Sequence, residues 1–451
     1  MKKVIIVGGG ISGLSTAFYL RRARPDVGIV LLEGRSRLGG VITTCRRDGF
    51  VIEGGPDSFV TAKPWGVQLC RDLGIESRLT PTDPAHRKTY VLSRGRLETL
   101  PPGMILAAPT RLGPFLRSSL ISWPGKIRMG MDLLLPRGRV QEDESLGSFV
   151  GRRLGREAVD KIAEPILGGI FLAEADHLSL RSTFPSLLEM ERRHRSLILA
   201  MRRQKKPAGN GSAFLSLSGG MDELVEALRA AIPGVDFRIG SRVLEIQKPL
   251  RIRTETENLE ADALVLAVPP PECSLLLRGF SSQLADRVAE IPSLSSATVS
   301  LAYRDPKAAV PLDGTGFVIA RGERRRILAC TWSSKKFAGR APEGHLLLRC
   351  FMGGKNEAIL EADDVMLVRI AREELREIMG LQEDPMFSTV FRWPAANPIY
   401  GIGHEARVRR IEGLLDPAWN LHLSGSGFRG VGIPDCVRDG FRVATEIAQR
   451  L

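Results

Sequence analysis

The 451-residue sequence predicts an α/β and α+β chain of three parts: a nucleotide-type βαβ domain discontinuous in sequence, a sheet domain and a helical insertion. Three observations predict it. A short β-branched run, Val4–Val7, leads into a glycine loop and then a helical pattern. Residues 85–210 turn rich in Pro, Leu and Arg, with helical spacing. From about 292 to 390, β-rich segments alternate with turns and end in a long amphipathic helix. A chain this long exceeds the roughly 250–300 residues at which single cores divide.

Taken in order, Val4–Val7 reads as a buried parallel strand. Ser12–Arg22 has helical spacing and Val27–Leu32 supplies the second strand of a βαβ unit. The insertion carries two amphipathic stretches, Arg111–Leu120 and Ser182–Met201. Gly219-Gly220-Met221 then opens a helix, Asp222–Ala231, followed by strands around Val243 and at Ala263–Val268. The sheet domain contributes Thr298–Tyr303, Gly316–Ala320, Ile327–Trp332 and Leu346–Met352, then the helix Ala362–Met379. Leu421–Ser424 reads as a strand and about Asp435 starts a final helix. The expected division is 1–84, 211–290 and 391–451 for the nucleotide domain, 85–210 for the insertion and 291–390 for the sheet domain.

Composition narrows the function classes. No uninterrupted apolar run reaches the length of a bilayer span. The N-terminal apolar run enters a glycine loop, unlike a signal peptide. Six cysteines show no CxxC pair and the six histidines no ligand spacing, so no metal is expected and the thiols read as packing in a reducing cytoplasm. The net charge of +13 fits a solvated basic surface, an anionic membrane face or an anionic substrate. Nucleic acid is not expected. The clusters Arg202–Lys206, Arg324–Arg326 and Arg407–Arg410 are dispersed and lack interleaved aromatics.

The glycine loop carries the first chemistry. Gly8-Gly9-Gly10-Ile11-Ser12-Gly13 follows a strand and opens a helix, and Glu33 stands at the end of the next strand. Gly8 turns the chain, Gly10 lets a pyrophosphate approach the backbone, and Gly13 lets helix and strand pack closely. The helix N-terminus offers free N–H groups to phosphate, and Glu33 can accept ribose hydroxyls. Gly34, Arg37 and the Gly39-Gly40 turn follow directly and can wrap the far side of an extended dinucleotide. That double signature points to a Rossmann-like fold of the two-dinucleotide type holding FAD rather than NAD. A third turn, Gly55-Pro56-Asp57-Ser58, and a fourth site, Gly425-Ser426 with Val431-Gly432-Ile433, are further candidate flavin contacts. The last helix can aim its dipole at a flavin ring that gains negative charge on reduction.

With these residues in place the chain resembles the FAD-containing amine oxidase and phytoene desaturase superfamily, and within it the oxygen-dependent porphyrinogen oxidases. The resemblance spans essentially the whole chain. It is most specific at Glu53–Phe59, at Leu180–Leu187 followed by His194–Ser196, at Trp393–His404 and at Gly430–Gly440. Trp393–His404 lacks the flavin-linking cysteine of many amine oxidases, which implies non-covalent FAD. The resemblance places Val243 by the adenine and Trp393 by the flavin. It makes Arg87 the candidate anchor for a substrate carboxylate, with Gly316 and Val318 against the macrocycle. His404 is expected to be structural.

The implied chemistry is oxidation of a porphyrinogen to the porphyrin in three two-electron steps, with O2 reduced to H2O2, in haem biosynthesis. No side chain is assigned as catalytic acid or base. Coproporphyrinogen III and protoporphyrinogen IX both fit, the arginine excess favouring the former. An amine or carotenoid-type oxidase on the same scaffold, and a carrier keeping FAD as structure, are the competing readings. The insertion fits either plain cover for the site or peripheral contact with the inner face of the cell membrane. A homodimer is expected only on general grounds.

Overall fold

The computed structural model describes residues 2–138, 142–203, 212–304 and 306–451. A five-stranded parallel sheet runs in the order Val235–Ile239, Gly28–Glu33, Lys3–Val7, Ala263–Leu266, Leu421–Leu423. Its strands come from both ends and the middle of the chain, so the sequence discontinuity is real. Parallel strands buried on both faces need apolar side chains at every position. Val4 and Ile6 pack with the helix Ile11–Ala23, the helix Asp222–Ala230 and the terminal helix Ile433–Arg450. Ile5 and Val7 point the other way, into a cluster with Leu276, Leu284 and Ile411. The terminal helix lies against Ile11–Ala23 at close range. A Cβ on Gly440 would come within 2.9 Å of the Thr16 nitrogen.

The second sheet has seven strands in the order Phe387–Pro398, Ser293–Arg304, His345–Gly353, Ala329–Trp332, Gly314–Ile319, Lys88–Ser93, Arg96–Thr99. All neighbours are antiparallel except Gly314–Ile319 with Lys88–Ser93. One face is apolar: Val299, Leu301, Leu348 and Cys350 pack on the helix Asp364–Met379. The other face carries Ser296, Thr298, Ser300 and Arg349, all buried.

Several expectations need correction. The segment 85–210 is not helical throughout. Residues 88–99 form a hairpin that joins the second sheet, because Tyr90 and Leu92 alternate into its apolar core while Val91 faces the insertion. The boundary at 390 cuts a single strand, Phe387–Pro398. The strand at Val243 belongs to a small antiparallel meander, Val243–Gln247, Arg251–Thr254 and Asn258–Glu260, not to the parallel sheet. The parallel strand is Val235–Ile239, which the sequence reading passed over. Arg111–Leu120 shortens to the helix Leu112–Arg117. Ser182–Met201 is three helices, Leu180–Thr183, Pro185–His194 and Leu197–Arg203; Pro185 starts the second and Arg195, at φ 64°, ends it. Ser196 and the Ile198 N–H bind the buried carboxylate of Asp132, which also pairs with Arg153. The insertion thus has its own core around Phe149 and Ile162. The expected insertion boundary at 210 and part of the Arg202–Lys206 cluster lie outside the described residues.

Candidate cofactor and substrate site

The glycines of the first loop divide by what surrounds them. A Cβ on Gly8, at φ +107°, would sit 2.5 Å from the Ala267 carbonyl oxygen, and one on Gly13 2.0 Å from that of Gly8. Those two glycines are demanded by the protein itself. A Cβ on Gly10 would meet nothing nearer than the Gly40 Cα at 3.9 Å, and one on Gly425 nothing nearer than Ser12 Oγ at 3.9 Å. Gly10, Gly40, Ser12 and Gly425 therefore border one open cradle between the N-termini of Ile11–Ala23 and Ile433–Arg450. Backbone at φ +125° already favours glycine at position 425 and φ +58° at position 40, but Gly10, at φ −74°, leaves room for a side chain yet carries none, which fits a pyrophosphate lying against the backbone.

Glu33 is buried and accepts from the Gly9 N–H at 2.8 Å and from the Arg35 N–H at 2.8 Å. Both of its carboxylate oxygens thus fasten the loop. The Gly39 N–H donates to the Gly9 carbonyl at 2.8 Å, joining the two glycine turns. Arg37 is turned inward, donating to the carbonyls of Leu38, Ile42 and Gly40 at 2.9–3.0 Å. Burial lowers its pKa, and its fork is spent on shaping the Gly39-Gly40 turn. Gly34 runs beside Arg242, 3.6 Å from where its Cβ would lie, which brings the buried Val243 alongside the end of the Glu33 strand. Ile11 opens its helix and is buried.

The Gly55–Ser58 turn is clamped to the second sheet. The Gly54 carbonyl accepts from Thr298 Oγ1 at 3.0 Å, Trp393 Nε1 at 2.9 Å and Arg349 Nη2 at 3.1 Å, and Arg349 also donates to the Gly55 carbonyl. A Cβ on Gly55 would sit 1.8 Å from the Val41 carbonyl oxygen, so that position admits only glycine. Beyond Pro56, the Asp57 carboxylate receives Lys336 Nζ at 2.8 Å and Ser58 Oγ at 2.6 Å. Burial works to raise the Asp57 pKa, but Lys336 and Arg349 outweigh it and hold the group at about 2. Burial raises the pKa of the neighbouring Glu53, against the opposing charge of Arg340. Burial lowers that of Arg349, whose Nε has no hydrogen-bond partner.

Register sets the rest of the chamber. Val91 pairs with Val318, Val318 with Ala329, Ala329 with Phe351, Phe351 with Thr298, and Thr298 with Phe391. Paired residues share a face, so one continuous face runs from Val91 and Val318, under the insertion core, to Thr298, Arg349 and Trp393 at the Gly54 turn. Arg87 precedes the Lys88–Ser93 strand, two steps of the alternation from Val91, at the rim of that face. It is exposed and makes no ion pair among the described residues. Gly316 has a different explanation from the expected one. It sits at φ +135° in a bulge, and a Cβ there would strike the Cys330 carbonyl oxygen at 2.2 Å. The sheet requires this glycine without any macrocycle.

The terminal loop closes the cradle. Ser424 Oγ and the Gly425 N–H donate to Asp439 at 3.0 and 3.1 Å, and Arg429 and Arg442 pair with the same carboxylate. The Ser426 carbonyl accepts from Tyr400. Val431 packs against the insertion core, Gly432 caps the last helix, and Ile433 enters the main core. Lys63 reaches Asp435 in the first turn at 2.6 Å. Sequence reasoning missed Lys63, Lys336, Arg349, Tyr400 and Asp439. Tyr400 and Asp439 left a trace, lying within the segments Trp393–His404 and Gly430–Gly440, but neither had a role read from it. The Asp57–Lys336 contact spans 279 positions, and no local pattern announces it.

A model of the family described as flavin containing amine oxidoreductase matches residues 11–448. The chain belongs to that family. A flavin is accordingly its cofactor, and its activity is that of an oxidoreductase. The chain is 36% identical to the coproporphyrinogen III oxidase of Bacillus subtilis, the alignment covering 97% of this chain and 96% of that one. It is 32% identical to the protoporphyrinogen oxidase of Bos taurus over 99% and 98%. The crystal structure of a protein from Exiguobacterium sp. 255-15 superposes with a TM-score of 0.90 at 32% identity, covering 100% of this flavoprotein and 99% of the other. A putrescine oxidase structure, at TM-score 0.69 and 18% identity, shares the fold.

Proposed function

We propose that this flavoenzyme oxidises coproporphyrinogen III to coproporphyrin III, using non-covalent FAD and O2. The observation that carries the reading is full-length similarity, insertion included, to coproporphyrinogen III oxidases at 31–36% identity. Bound FAD supplies a hydride acceptor used three times per porphyrinogen, and three O2 take the six electrons to give three H2O2. The chain's own contribution is binding, orientation and exclusion of water.

Gly10, Ser12, Gly40 and Gly425 would hold the pyrophosphate, Glu33 and Val243 the adenosine end, and the Gly55–Ser58 and Val431–Ile433 segments the flavin end. Trp393, fixed by the Gly54 carbonyl, would border the ring. Val91 and Val318 offer an apolar wall for a tetrapyrrole. Arg87 at its rim offers a bidentate partner for one propionate. In this division the nucleotide domain is built from 1–84, 212–290 and 399–451, and the substrate face from the second sheet, Phe387–Pro398 included, and the insertion.

The insertion also bears Leu112, Leu116, Trp123, Ile127, Met131 and Leu134, all exposed, Trp123 at 63% and Leu134 at 78%. Trp123, Ile127 and Met131 recur every four residues, as on one helical face. Exposed Arg111, Arg117 and Arg137 flank the stripe. We read it as a peripheral contact with an anionic membrane surface; among the described residues, no helix is long and apolar enough to cross a membrane. Binding to anionic vesicles that Trp123→Ser with Ile127→Ser abolishes is expected. A concentration-dependent dimer broken by the same pair would assign the stripe to a second copy instead.

The decisive assay compares kcat/KM for coproporphyrinogen III and protoporphyrinogen IX under air, following porphyrin fluorescence and H2O2. Three H2O2 per porphyrin and a preference for the tetracarboxylate are expected. A preference for protoporphyrinogen IX would reverse the substrate assignment, and no rate above autoxidation would end it.

A further inference from the structure

Between the insertion and the flavin-end loop stands one side chain that touches both. Tyr400 is buried, and its hydroxyl makes two hydrogen bonds of 2.6 Å, donating to the Ser426 carbonyl and accepting from the Gly430 N–H. Those two groups are four residues apart on the same loop, so the hydroxyl closes it. Gly430 is at φ +127°, and a Cβ there would strike Asp435, so the loop is already folded tightly onto the first turn of the last helix. The Tyr400 ring stacks on His404, with centroids 3.8 Å apart and 13° between planes. His404 Nε2 lies 3.2 Å from the Phe428 carbonyl of the same loop.

The backbone of Tyr400 is held from the other side. Its carbonyl accepts the Ser179 N–H at 2.7 Å, and Gly401 bridges Leu178. Asp143 Oδ2 receives both Ser179 Oγ at 2.7 Å and the Gly403 N–H at 2.8 Å. Ser179 caps the helix Leu180–Thr183 of the insertion.

We propose that Tyr400 is a positioning residue that clasps the loop Ser426–Gly430 and fixes the amides of Val431 and Gly432, where negative charge develops on the flavin, in register with the insertion. This rests on the flavin-end assignment made above and goes beyond it by naming what holds that end. The physical reason is preorganisation: donors aimed at developing charge act only if they need not be reoriented. Without the hydroxyl, Gly430 N–H and Ser426 C=O lose their shared partner in a partly buried place, and the loop can relax away from the ring.

The test is Tyr400→Phe, which keeps the ring and its stack. The flavin midpoint potential is measured by anaerobic dye titration and FAD dissociation by fluorescence, on the purified holoprotein. The reduced flavin should lose about tenfold in relative affinity, which lowers the two-electron potential by about 30 mV. Tyr303→Phe, in the apolar face of the second sheet, controls for loss of any buried tyrosine hydroxyl and should leave the potential unchanged. A Tyr400→Phe protein that melts earlier at unchanged potential would reduce Tyr400 to ordinary packing and overturn the proposal. If Tyr400→Phe yields no folded protein, His404→Gln, which keeps the hydroxyl and removes the stack, should give a smaller shift of the same sign; no shift there overturns it too. A wild-type protein that takes up no FAD would instead refute the flavin-end assignment, and a flavin-loaded wild type inert to porphyrinogen only the substrate.

Discussion

The first and last loops of the cradle solve one problem by opposite means. The Gly8–Gly13 loop is fixed mainly by close backbone packing: a strand before it, a helix after it, and glycines set against the carbonyls of Gly8 and Ala267. The Gly425–Ile433 loop is fixed from outside, by Tyr400, Asp439 and Lys63. A loop of the first kind should lose its ligand when a local atom is added. One of the second kind should change when a distant support is removed.

Gly10→Val tests the first kind and has the largest expected effect. Its Cβ would stand on the open side of the cradle, with no neighbour nearer than the Gly40 Cα at 3.9 Å. The apoprotein should keep its melting temperature to within a degree or two, while bound FAD disappears from the visible spectrum. A variant that stays yellow would place the pyrophosphate elsewhere.

Asp439→Ala tests the second kind. Asp439 is 2% exposed and pairs with Arg429 and Arg442, which would be left without their shared carboxylate. Arg429 and Arg442 are partly exposed and keep Glu412 and Glu446, so the cost is that of losing a buried charged hydrogen-bond acceptor, about 1.5–3 kcal/mol. Chemical denaturation should show that loss, with weaker FAD retention because the Gly425 N–H is released too. A cost below about 1 kcal/mol, the range of exposed pairs, would mean that the loop holds itself.

This contrast also explains what could be read from the sequence. The βαβ start was legible because strand, loop, helix and Glu33 lie within 33 residues and each local choice agrees. The second sheet was legible as a sheet covered by a helix, but not its strand order or its edge hairpin. That hairpin, 88–99, lies more than 210 residues before its neighbour Gly314–Ile319 in the chain, inside what composition marked as insertion. Two glycines singled out in the sequence differ in what surrounds them: a bulge demands Gly316, whereas no protein atom forces Gly10. The supports of the terminal loop were illegible, since a buried tyrosine and a buried aspartate look ordinary until folding sets them against open carbonyls and amides.

Arg87→Ala separates substrate from cofactor. Arg87 touches neither loop, so flavin content should be unchanged. Loss of one charge-assisted hydrogen-bonded pair, about 1.5–3 kcal/mol, should lower kcat/KM for coproporphyrinogen III about 10- to 100-fold. Arg87→Lys should recover only part, since an ammonium lacks the planar fork. Equal loss of flavin and activity would move Arg87 from the substrate rim to the fold.

The smallest effect lies in pH dependence, and it reports on the second loop's outer support. Burial lowers the His404 pKa to about 4, with the Phe428 carbonyl opposing and Arg407 adding to the shift. Its Nδ1 is buried without a partner among the described residues, so protonation would place an unsatisfied charge behind the loop. In the unfolded chain the imidazole titrates near about 6.5. Between those values the unfolded state binds a proton that the folded state refuses, so stability falls as pH is lowered from 6.5 toward 4 and levels off below. From pH 7.5 to 5 the loss from this group is about 2 kcal/mol. His404→Gln removes the titration while keeping a donor for the Phe428 carbonyl. The stability gap between wild type and variant, measured by urea denaturation, should therefore narrow by about that amount over the same range. A gap that stays constant would mean His404 is solvated in the folded protein, and then the stack under Tyr400 could not hold the loop against water.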